Sequence, residues 1–292
     1  MIYTIQNEKV LVQIKQKGAE LTSMKNLADN TEYIWQGSDI YRPQAEFLFP
    51  IMGFTENDEV TYQGQIYKMP THGFAKDTLF KVTHEAMDSI SFQITDTEES
   101  LALYPFKFEF NIIYKLEESK LTITCQVINK DEKLMYFSLG QHVGFTCPIE
   151  RKLEMSDYYF EFDKKENIKY NDYSYETAER LPTELVFLED SNIWPLSFEK
   201  LTPGPIILHG LESDSVTIKS DKNQKSVKIN FGEHPTLSIW SSEEPEEFVC
   251  VQPWHGTLPM RGSSSNDLAE KEGMRTLESG KTFESSQSFE IK

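Results

Sequence analysis

Phe106, Phe108, Phe110, Ile112, Tyr114 and Leu116 recur at every second position. An extended strand puts such residues on one face, whereas a helix would scatter the same six around its circumference. Glu117-Glu118-Ser119-Lys120 follows as a turn, after which Leu121, Ile123, Cys125 and Val127 resume the period. The pattern predicts an antiparallel hairpin with one apolar face. Such a face must be covered by a second layer, which narrows the fold to packed sheets or to helices laid on a sheet.

The rest of the chain favours sheets. Val10, Val12 and Ile14 alternate, as do Ile90, Phe92 and Ile94, and later Val227, Ile229 and Phe231. Tyr62-Gln63-Gly64-Gln65-Ile66-Tyr67 carries a tight-hairpin signal. No helix longer than about three turns is visible from periodicity. Aromatic residues make up 12% of the chain, and they suit a half-buried pleated surface. The segment 42–58 reads as irregular, broken by Pro43, Pro50 and Gly53. Residues 150–200 also read as irregular, with short strands anchored by Tyr158, Tyr159 and Phe160. No short repeat and no separating linker is found. The expectation is an all-β fold, one domain over residues 1–292, with mainly antiparallel strands in two large packed sheets.

Charge and motifs exclude several functions. A formal net charge of -18 repels nucleic acid and an anionic membrane surface. Cys125, Cys147 and Cys250 form no C-x-x-C, so reduced thiols and a cytoplasmic location are expected. The N-terminus carries no basic, apolar leader pattern, and the apolar cluster from Phe47 to Phe54 is too short for a membrane span. The six histidines form neither H-x-H nor H-x-x-x-H, so no metal site is expected. Serine-hydrolase, P-loop and dinucleotide motifs are absent.

Two histidines have a suggestive setting. His72 follows a strand-like run in Pro70-Thr71-His72-Gly73-Phe74-Ala75-Lys76, and His142 sits in Gly140-Gln141-His142-Val143-Gly144-Phe145. Glycine lets a ligand or another backbone approach closely. An adjacent phenylalanine offers a sugar an apolar face, and the same ring serves equally well as core. Phe49-Pro50-Ile51-Met52-Gly53 precedes these stretches, and Gln252-Pro253-Trp254-His255-Gly256 follows them.

These four stretches, in this order and spacing, resemble the aldose 1-epimerase (galactose mutarotase) family, most closely its LacX-like branch. The resemblance runs from about Ile5 to the end of the chain. It implies a β-supersandwich, and reversible interconversion of the α and β anomers of an aldohexose such as galactose, without cofactor or metal. By resemblance His142 matches the general acid that protonates the ring oxygen, and His72 the second histidine near that oxygen. Lys76, Phe74, Trp254 and His255 then become substrate-binding candidates.

The sequence departs from the family pattern at several positions. Where relatives place a glutamate base before Pro-Trp, this chain has Gln252, whose amide does not take up a proton. An arginine expected after Phe-Pro-Ile-x-Gly is replaced by Phe54, Thr55 and Glu56, and an aspartate by Thr202-Pro203-Gly204-Pro205-Ile206. Lys76 stands where arginine is usual. Three readings follow: an epimerase with a relocated base, for which His255 is a candidate; a sugar-binding or regulatory protein without turnover; or an enzyme for a modified sugar. In a regular strand His255 faces away from Gln252, although Pro253 can reset that geometry.

Overall fold

The computed structural model describes residues 1–244 and 246–292, and the counts below refer to them. The hairpin read from the aromatic alternation forms as Phe108–Glu117 and Lys120–Asn129, with Leu116 opposite Leu121 and Cys125 opposite Ile112. It lies inside a nine-stranded antiparallel sheet. From one edge the order is Glu179–Pro195, Tyr159–Ser174, Ser215–Lys219, Val227–Asn230, Thr282–Ile291, Lys120–Asn129, Phe108–Glu117, Ser89–Thr95 and Lys81–Glu85.

A five-stranded sheet packs against it, in the order Ile206–His209, Thr236–Trp240, Phe248–His255, Leu139–Thr146 and Ala45–Leu48. Aromatic side chains lock the two together. Phe47 meets Phe110 edge-on at 6.2 Å between ring centroids, and Phe145 meets Phe289 at 5.1 Å. Phe49, just past the edge strand Ala45–Leu48, stacks on Phe110 at 4.7 Å. A smaller sheet of Ile2–Gln6, Val10–Lys15 and Glu20–Asn26 adds its apolar residues to the same core. The fold is the antiparallel β-sandwich expected, and no described helix is long and apolar enough to cross a membrane.

Strand period fixes which residues leave this core. Phe47 and Phe145 point toward the large sheet, so Glu46 and residues two apart from it in register, His142 and Gly144 among them, face the other way. The candidate residues His142 and Gln252 lie on this outer face.

Of two segments that look irregular in the sequence, the first is irregular apart from one short strand and the second is regular. Residues 42–58 contain the edge strand Ala45–Leu48. Residues 150–200 form not short strands but a long hairpin of 16 and 17 residues, Tyr159–Ser174 and Glu179–Pro195. Register shifts between Glu161 and Tyr173 interrupt its alternation and hide the period. The buried Glu166 carboxylate sits within that stretch and accepts hydrogen bonds from the Ser213 backbone N–H at 2.7 Å and the Ser213 hydroxyl at 2.6 Å.

Candidate functional site

Four strands of the smaller sheet contribute one polar residue each to a row across its outer face. Glu46 is the register partner of His142. The register between the His142 and Gln252 strands is the same on both sides of an unpaired stretch, Gly140 opposite Trp254 and Gly144 opposite Cys250, and it sets His142 across from Gln252. Gln252 is in turn paired with Ser238. Neighbours in such a row have side chains on one face, with opposed Cβ atoms roughly 4.5–5.5 Å apart. All four line one cavity of about 270 Å³.

His72 reaches the same cavity from a turn rather than a strand. Its backbone is left-handed at φ 64°, and Gly73 follows at φ 76°. Left-handed non-glycine residues carry strain that the surroundings must hold in place. Here the Gly73 N–H donates to Pro70 O at 2.8 Å and the His72 N–H to Gly53 O at 3.0 Å. The Gly53 N–H in turn donates to His72 Nδ1 at 3.0 Å. An accepting Nδ1 leaves the proton of the neutral ring on Nε2. Burial, assisted by the nearby Lys76 cation, lowers the His72 pKa to about 4.

The His72 and His142 ring centroids are 6.1 Å apart. His142 Nδ1 shares a hydrogen bond of 3.0 Å with the Tyr41 hydroxyl, so Nε2 is the nitrogen left for a ligand. Tyr41 is clamped by Phe248, stacked at 5.1 Å, and by Trp240, edge-on at 5.1 Å. Burial, with a further contribution from His72, lowers the His142 pKa to about 3. Both imidazoles are neutral at pH 7.

The remaining walls are mostly apolar: Phe54, Tyr173, Tyr175, Pro205, Trp240, Trp254 and Leu258. Gly140 permits one of them, because a Cβ there would lie 2.4 Å from Trp254 Cδ1. Tyr173 and Tyr175 come from the end of the long hairpin, which is pinned over the site by Arg180. That side chain donates Nε–H to Leu258 O at 2.8 Å and pairs with Glu272. Three buried polar atoms in the lining, Ser238 Oγ, Gln252 Oε1 and Trp254 Nε1, have no partner among the described residues. Buried polar groups are seldom left so, and a polyhydroxylated ligand supplies such partners.

Glu46 carries the one carboxyl group of the lining among the described residues. Burial raises its pKa, and Lys76, 4.0 Å from Oε1, opposes the rise. Sequence reasoning misses Glu46 because the strand that carries it looks irregular. The legible signal is Ala45-Glu46-Phe47, a carboxylate between two inward-facing residues. Tyr41 is missed as well, and no pattern in its neighbourhood marks it.

Three of the candidates that the sequence offers are not in the lining. Phe74 is buried in the core against Phe49, Tyr104 and Phe108, because the left-handed turn at His72 and Gly73 reverses the chain and sends the next ring inward. Lys76 is absent from the lining, its ammonium lying 3.2 Å from Asp77 and 4.0 Å from Glu46. His255 faces the large sheet. Its strand keeps its period through Pro253, so Gln252 and Trp254 point into the cavity and His255 does not. It bonds Ser285 Oγ at 2.6 Å and lies 4.3 Å from the His234 ring. It therefore cannot serve as a relocated base.

The sequence model of the aldose 1-epimerase family matches residues 1–264. The chromosomal protein LacX of Lactococcus lactis subsp. lactis is 32% identical over 268 residues, 88% of each chain. A galactose mutarotase related enzyme from Lactobacillus acidophilus, 32% identical, superposes with a TM-score of 0.94 over 100% of this chain and 97% of its own. A galactose mutarotase-like protein from Lactobacillus casei is 28% identical, with a TM-score of 0.91 and full coverage of both chains.

Proposed function

The chain belongs to the aldose 1-epimerase family, and from that premise we propose that it interconverts the α and β anomers of a neutral aldohexose such as galactose. The observation that carries this reading is the pair of neutral histidines in one cavity, beside three buried polar atoms that await partners. Anomer exchange needs a base to take the proton from the C1 hydroxyl and an acid to protonate the ring oxygen. The C1–ring-oxygen bond then breaks, the C1–C2 bond rotates, and the ring closes on its other face. His142 offers Nε2 to these oxygens. His72, protonated on Nε2 and held by the Gly53 N–H, donates a hydrogen bond that orients the sugar.

In this reading Gln252 stands where relatives place the base. Its carboxamide binds a sugar hydroxyl and takes no proton. Phe54 and Pro205 line the cavity at or beside the two other altered positions, which favours a ring face over a charged substituent. We further take residues 1–292 as one domain, since one connected apolar core runs from Ile5 to Ile291. The cytoplasm is the proposed location, in keeping with three buried free thiols.

The test is polarimetry on freshly dissolved α-galactose and α-glucose, corrected for the spontaneous rate. The proposal expects acceleration proportional to protein concentration. The amide at Gln252 supports one other reading, sugar binding without turnover. Calorimetric binding of an aldose with no acceleration of any aldose tested would establish that reading instead.

A further inference from the structure

We propose that Glu46 is the carboxylate of this site, forming with His142 the acid–base pair that moves a proton between O1 and the ring oxygen of the sugar. The inference rests on the epimerase reading and supplies what Gln252 lacks. Its basis is geometric. Glu46 and His142 are direct register partners on adjacent antiparallel strands, so both side chains rise from the same face into the cavity. His142 thus has a carboxamide across from it on one side of the row and a carboxylate on the other. No other carboxylate lines the cavity among the described residues.

The proton balance is closed by these two groups. The member of the pair without the exchangeable proton takes the O1 proton, and electrons of that O–H bond form the C1 carbonyl. The C1–ring-oxygen bond breaks, and the ring oxygen receives the proton carried by the other member. After rotation about C1–C2 the same steps run in reverse, and the pair ends with the proton count it began with. The competent pair therefore holds one exchangeable proton in total.

Several charges bear on how that proton is held. Lys76 and Asp77 face Glu46 from the turn after His72, Glu20 and Lys15 from the N-terminal sheet, and His142 from its own sheet; His72 and Tyr41 bear on His142. Burial raises the Glu46 pKa and keeps His142 neutral, so the competent form is the one in which the Glu46 carboxyl holds the exchangeable proton. The population of that form grows as pH falls toward the carboxyl's raised pKa.

The test compares wild type with Glu46→Gln in polarimetry and calorimetry from pH 7.5 to 5. The nearest charged partner of Glu46 among the described residues is Lys76 at 4.0 Å, so the amide is expected to fold. The proposal expects kcat to fall by about 10²-fold or more, with sugar affinity changed less than about threefold. It also expects the wild-type rate to rise on acidification and that rise to be lost in Glu46→Gln. If Glu46→Gln does not fold, Glu46→Asp replaces it, with a loss of at least about tenfold expected from withdrawing the carboxylate by one methylene. An active wild type matched by either variant overturns the assignment of Glu46 and leaves the epimerase reading standing. A wild type that accelerates no aldose overturns both.

Discussion

The rings of His72 and His142 stand 6.1 Å apart, and each has its Nδ1 taken by the protein, one by the Gly53 N–H and one by the Tyr41 hydroxyl. Two imidazoles this close, both charged, would repel each other, and burial keeps both neutral.

A pH dependence of stability follows. Folded pKa values of about 4 for His72 and about 3 for His142 lie below the unfolded value of 6.5. On acidification the unfolded chain binds these protons first, so their contribution is fully present above pH 6.5 and is lost as pH falls toward 4 to 3. His234 and His255, at about 4 and about 3, act in the same direction. The melting midpoint should fall between pH 7 and 5, and proton NMR should show the His72 and His142 rings still neutral at pH 5. Either ring titrating near 6.5 contradicts the assignment.

Gly73→Ala should unfold the His72 turn. An added Cβ would lie 2.2 Å from the Phe49 carbonyl oxygen, at a residue whose φ is 76°. A destabilisation of at least about 2 kcal/mol is expected, with loss of sugar binding. Chemical denaturation and calorimetry measure the two together; wild-type stability would show that the turn relaxes cheaply.

His255→Ala separates the two sides of the Gln252 strand. Its ring packs 4.9 Å from Phe283 on the core side, so truncation should cost about 1–3 kcal/mol. Anomer exchange per folded molecule should stay within about twofold of wild type. A specific loss of rate would return His255 to the cavity.

Phosphorylated sugars should bind worse than neutral ones. Among the described residues the lining holds one carboxyl group, Glu46, and no Lys or Arg, and the nearby Lys76 is shared with Glu46 and Asp77. Like charges across a site are costly. Calorimetry should show a hexose phosphate at least about tenfold weaker than the hexose, and binding of the hexose unaffected by salt. Tight, salt-sensitive binding of the phosphate would identify a modified-sugar site.

Much of this is legible because period and backbone agree. The alternation from Phe106 to Leu116 has one solution, and the strand it specifies starts at Phe108. His72 and His142 stand out by their glycine and phenylalanine neighbours and Gln252 by the resemblance to the family motif, and the structure brings all three to one cavity. Phe74 misleads because a glycine beside an aromatic marks a ligand platform and a tight core turn alike. Glu46 is hidden by Pro43 and Pro50, which make a four-residue strand look like loop. The long hairpin is hidden by bulges, which break the period that identifies a strand.

The polar row also fixes when in folding the cavity is complete. Glu46, His142, Ser238 and Gln252 come from four separate strands spread over most of the chain. A slip of one residue in any strand turns its member to the opposite face. Ser238 and Gln252 meet locally, on consecutive paired strands, but the full row exists only after the distant strands carrying Glu46 and His142 have joined them, the slowest kind of contact to form. A fragment ending before Thr236 lacks both Ser238 and Gln252. Under the proposed function, sugar binding in this cavity measures whether the whole sheet has registered correctly, in any refolding experiment that can detect a bound sugar.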